Sequence, residues 1–135
     1  MNRLKHSEKI QAQSLPGELV DPANQPEPQD VAGYIRRGFA FYSRKEYLKA
    51  EQDFKHAIDL DSSSIDAFYG LGMVMKFQKH VEDSVKAFQK TLELIVGGAV
   101  TDRARAAMLR RLALGHINEL TIGDWNLEKE IWHRV

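Results

Sequence analysis

Cysteine is absent from the 135 residues, and with it go disulfides, thiolate metal ligands and thiol nucleophiles. No apolar run approaches the ~20 residues of a membrane span. Net charge is missing as well. Nineteen basic and nineteen acidic residues cancel, so no global field draws the chain to nucleic acid or to an anionic membrane. The N-terminus carries Arg3, Lys5 and His6 without an apolar stretch after them and does not read as a secretory signal. There is no Gly-rich phosphate loop, no nucleophile elbow and no identifiable pair of catalytic carboxylates. These absences predict a cytoplasmic protein that is not an enzyme and holds no cofactor.

Proline is scarce except in one place. Pro16, Pro22, Pro26 and Pro28 all fall between Ser14 and Asp30, where large apolar residues are few. Such a stretch buries too little surface to offset its ordering entropy, so residues 1–29 are expected to form a mobile tail. Leu15, Leu19 and Val20 are its apolar cluster and a candidate for occupying a groove in cis. The remainder, 30–135, is of ordinary globular composition, within a chain that is 43% apolar and 28% charged.

From Val31 the apolar spacing turns helical. Asp30 is a plausible N-cap for a helix to about Ser43, and Arg44-Lys45-Glu46 is the turn before a second helix over 47–60. Ser63 and Asp66 have capping-box spacing ahead of a third helix to about Phe77. A fourth helix runs from about Val81 to Ile95 and stops at Gly97-Gly98. Thr101-Asp102 then caps a helix without a firm stop until Gly123-Asp124, and a last helix is expected from Trp125 or Asn126 to the C-terminus.

The first four helices repeat. Displaced by 34 residues, Tyr34, Gly38, Phe41, Tyr47, Ala50, Phe54, Ala57 and Leu60 fall on Phe68, Gly72, Met75, Val81, Ser84, Phe88, Thr91 and Leu94. A fixed period of this length marks units that bury their apolar faces only by stacking on neighbours. Tyr34, Gly38, Phe41, Ala50, Phe54 and Ala57 in one copy, with Phe68, Leu71, Gly72 and Phe88 in the next, resemble the tetratricopeptide repeat. Arg37 departs from that pattern, standing where Leu is usual, and Ser62 and Val96 replace its closing Pro. The resemblance implies an all-α, short right-handed solenoid of helix-turn-helix units. Repeat 1 would span 31–64 and repeat 2 would span 65–98, with 101–135 a divergent repeat or cap.

The resemblance also implies a concave groove lined by the first helix of each unit. Ile35, Phe39 and Tyr42 would come from the first unit, Tyr69, Met73 and Lys76 from the second, and Arg110, Ala113 and Ile117 from the long helix. Positions where some relatives grip a C-terminal carboxylate hold Ile35, Phe39 and Gly70, so that clamp is absent. An aromatic and Met-lined groove suits an apolar peptide or amphipathic helix, and a protein ligand of unknown identity is the expected partner. The alternative is a structural homo-oligomer, a homodimer being its simplest form, joined through the groove or through Trp125 and Trp132 on the terminal helix. His116 with Glu119, and Glu130 with His133, have metal-like helical spacing without the further carboxylates a metal site needs. Arg103, Arg105, Arg110 and Arg111 make the long helix locally basic, but a solvated face explains them better than nucleic acid.

Overall fold

The computed structural model describes residues 21–125. A 3-10 turn over Pro22–Asn24 precedes five helices: α1 (Val31–Ser43), α2 (Tyr47–Leu60), α3 (Ile65–Phe77), α4 (Val81–Val96) and α5 (Arg103–Ile122). No strand occurs among the described residues. Each helix packs on its neighbours in the chain, and α1 also reaches α3.

Side-chain oxygens start three of the helices by accepting from otherwise orphaned amides. Asp30 accepts from the Gly33 N–H at 2.8 Å, and Asp102 accepts from Ala104 and Arg105. At α3 the cap is Ser64, which accepts from Ala67, not Ser63 as the capping-box spacing suggested. Ser63 instead donates its amide to the Asp61 carboxylate. The Asp61 turn consumes one more residue than the spacing implied.

The turns after α1 and α3 are built alike, 34 residues apart. The Glu46 amide returns to the Phe41 carbonyl and the His80 amide to the Met75 carbonyl, closing the last turn of each helix. Both require a left-handed residue, which is Lys45 (φ 63°) in one and Lys79 (φ 64°) in the other. After α4 the same arrangement uses Gly98 (φ 84°), with Ala99 bonding back to Leu94.

Two phenylalanine rings lock the helices together. Phe54 on α2 is fully buried and fills the space left by two glycines. A Cβ on Gly38 would lie 2.8 Å from this ring, and one on Gly70 only 2.4 Å away. Phe88 on α4, equally buried, occupies the corresponding place beside Gly72, where an added Cβ would come within 2.8 Å. Its other face stacks on His116 of α5, with ring centroids 4.8 Å apart. Opposite Gly72, the buried Ser84 hydroxyl donates to the glycine carbonyl at 2.7 Å, the polar counterpart of the enclosed Ala50 of the first pair.

α5 is continuous over 20 residues. Gly115 sits in its interior because the Trp125 ring lies where a side chain would project; a Cβ there would come within 1.9 Å of it. Residues 21–29, placed by their prolines with the mobile tail, are mostly exposed and touch α1 at a few points. Pro22 is fully buried, and Glu27 reaches Arg37 and Tyr34. Leu15, Leu19, Val20 and the expected terminal helix over 126–135 lie outside the described residues.

Candidate functional site

The residues predicted to line a groove occupy α1, α3 and α5. Phe39 sets its ring edge against Phe54 (4.9 Å) and against Tyr42 (6.4 Å). Tyr42 continues to Phe77 at 5.7 Å. Ile35, Phe39 and Tyr42 are thus half-buried against the core of Phe41, Ala50, Phe54 and Val74 and keep a partial outer surface. Met73, Arg110 and Ile117 are also half-buried. Ala113 is fully enclosed and offers a ligand no surface. It is a small residue on an Ala-rich helix, and the packing of that helix covers it.

Tyr69 and Lys76 meet on α5. The Lys76 ammonium lies 3.0 Å from His116 Nδ1 and 2.9 Å from the Glu119 carboxylate. Tyr69 Oη is 3.2 Å from His116 Nε2. An ammonium only donates, so Nδ1 accepts and the ring proton sits on Nε2, donating to the tyrosine oxygen. Burial, reinforced by the Lys76 charge and opposed by Glu119, pushes the imidazole down to about 4. His116 is therefore neutral, and both nitrogens are occupied. The metal-like spacing of His116 and Glu119 resolves into a polar bridge between α3 and α5. Arg105 adds another link in the same direction by pairing with Asp66, so part of the basic character of α5 serves its packing on α3.

Trp125 packs on α5, its ring edge-on to His116 at 4.9 Å, while its carbonyl accepts from the buried Asn118 amide. Trp132, its predicted companion, lies outside the described residues.

Arg37 proves to be more than a departure from a pattern. Its guanidinium grips Asp53 of α2 through two bonds of 2.7 and 2.8 Å and also reaches Glu27 at 2.9 Å. Asp53 is almost wholly buried, so this pairing satisfies an acid that would otherwise be orphaned in the core. The signal was present in the sequence. Asp53 interrupts the buried face made by Ala50, Phe54 and Ala57, and Arg37 stands at an apolar position.

The chain matches no protein-family model. Over 67 residues, 50% of this chain, it is 33% identical to the E3 ubiquitin-protein ligase CHIP of Arabidopsis thaliana. That stretch covers 24% of the plant protein, so the chain spans about a quarter of the length of this curated relative. The likeness and the all-helical fold together support a protein-interaction module of the tetratricopeptide kind.

Proposed function

We propose that the protein is a binding module rather than a catalyst, a short tetratricopeptide solenoid. It takes a partner's apolar peptide or amphipathic helix on the face made by α1, α3 and α5. The observation that carries this reading is the recurrence of one packing device at the repeat distance. Phe54 sits between Gly38 and Gly70, and Phe88 between Gly72 and His116. A device that adds one helix pair to the next leaves the first helices of successive pairs side by side, and such surfaces serve extended ligands.

The polar bridge of Tyr69, Lys76, His116 and Glu119 lies between α3 and α5. The apolar contact surface is accordingly assigned to the α1 and α3 side, at Ile35, Phe39, Tyr42 and Met73. Affinity capture with the wild type and with Met73→Glu tests it, with circular dichroism as a check on folding. Partners retained by the wild type and lost by a fully folded variant support the reading. Identical partner sets from the two proteins refute it.

A further inference from the structure

We propose a second docking surface, at the end of the molecule where the two lysine-bearing turns lie, that takes an acidic peptide segment through one large apolar side chain. The turns over 44–46 and 78–80 come together there. Tyr47 stacks on Phe77 with centroids 5.5 Å apart and planes 10° from parallel. Beside this pair Tyr47, Leu48 and Gln78 line a concavity of about 420 Å3, with Lys45, Glu46 and Lys49 completing its wall. Leu48 is 69% exposed, and Phe77, although it packs on Tyr42 and Tyr47, is still 49% exposed. Exposed apolar residues around a concavity with a polar rim mark interaction sites.

Charge identifies the occupant. Lys45 and Lys49 line the concavity, and Arg44 and Lys79 are exposed residues of the two turns that meet beside it. Glu46 is shared between Arg44 and Lys49, and Glu51 is engaged by Lys55 and Gln78. Of the two acids that open α4, Asp83 lines a different concavity together with Lys86, and Glu82 is exposed. Lys45 and Lys79 have no carboxylate partner among the described residues. Both also hold a left-handed conformation that the backbone would fill more cheaply with glycine, so helix termination alone does not account for lysine at either turn. Cations in excess around an apolar concavity complement a segment that joins an apolar anchor to acids. A shallow depression of this kind, with lysines on its wall, suits a side chain laid across it with acids to either side.

The test uses a fluorescein-labelled dodecapeptide carrying one tryptophan flanked by Glu and Asp. Two controls accompany it, one with the acids replaced by their amides and one with the tryptophan replaced by serine. The acidic peptide is expected to shift the amide resonances of Lys45, Leu48 and Gln78, and each control is expected to bind at least fivefold more weakly. Raising the salt from about 50 to about 300 mM is expected to weaken the acidic peptide. The double variant Lys45→Gly, Lys79→Gly separates binding from folding, because it is expected to raise the melting temperature while weakening the peptide at least fivefold. Equal binding of the acidic and amide peptides overturns the proposal. So does an unchanged affinity in the glycine variant, or a response confined to the α1 and α3 face. Binding to phosphatidylserine vesicles through Leu48 and Phe77, without a peptide response, overturns it in favour of a membrane surface.

Discussion

Two buried polar residues set much of this protein's behaviour. Asp53 is held by Arg37, and removing Asp53 takes away the guanidinium's two shortest bonds and leaves it only the exposed Glu27. Asp53→Ala is expected to cost about 3 kcal/mol, measured by urea unfolding, while Arg37→Met together with Asp53→Leu should recover most of that loss. His116 makes stability depend on pH. Its folded value of about 4 lies below the ordinary 6.5, so between those limits the unfolded chain holds a proton that the native ring refuses. Stability is then complete above about pH 6.5 and falls as the pH drops toward 4, by roughly 2–3 kcal/mol. The native Nδ1 faces the Lys76 ammonium, with Tyr69, Phe88 and Trp125 around the rest of the ring, which leaves an added charge poorly accommodated. His116→Gln should flatten the acid limb of a pH–stability profile followed by thermal melts, and a limb of unchanged steepness would place the titrating group elsewhere.

The helix ends were legible where a single residue type decides them. Asp30, Asp102 and Gly97-Gly98 act where their chemistry places them, and the turn at 44–46 was readable from polarity alone. Ser64 was missed because the Asp61 turn fixes which serine meets the Ala67 amide, and that turn geometry is not encoded in spacing. Gly115 lies inside the longest helix, and its reason lies ten residues away in the Trp125 ring. Gly115→Ala is expected to displace that ring and cost about 1–3 kcal/mol, with a change in tryptophan fluorescence that an ordinary glycine-to-alanine gain in helix propensity would not produce. Such a gain, with unchanged emission, would show that the ring does not depend on the glycine.

Across the molecule, the phenylalanine contacts join each helix pair to the next, so the pairs are expected to unfold together. Phe88→Ala should cost about 3–5 kcal/mol and lower the stability of α1 and α2 as well as α4, read by hydrogen exchange. Protection lost only in α4 and α5 would instead mark the pairs as independent. The face proposed for a partner comes from the same kind of reading. Helix periodicity, interpreted through the family resemblance, selected Phe39, Tyr42 and Met73, which are half-buried. It also selected Ala113, which neighbouring helices enclose, because period identifies a helix face and only packing shows how much of it stays open.

By itself the sequence determined the 34-residue spacing and the approximate positions of the helices within residues 31–122. Those features follow from local backbone preference and from side-chain size, which are properties of short stretches. Tertiary structure decided that Arg37 belongs to Asp53, that His116 is a neutral bridge between α3 and α5, and that Glu27 reaches α1. Each of these depends on which groups meet across helices, and burial alters the energy of a charge or hydrogen bond in ways that no spacing along the chain records.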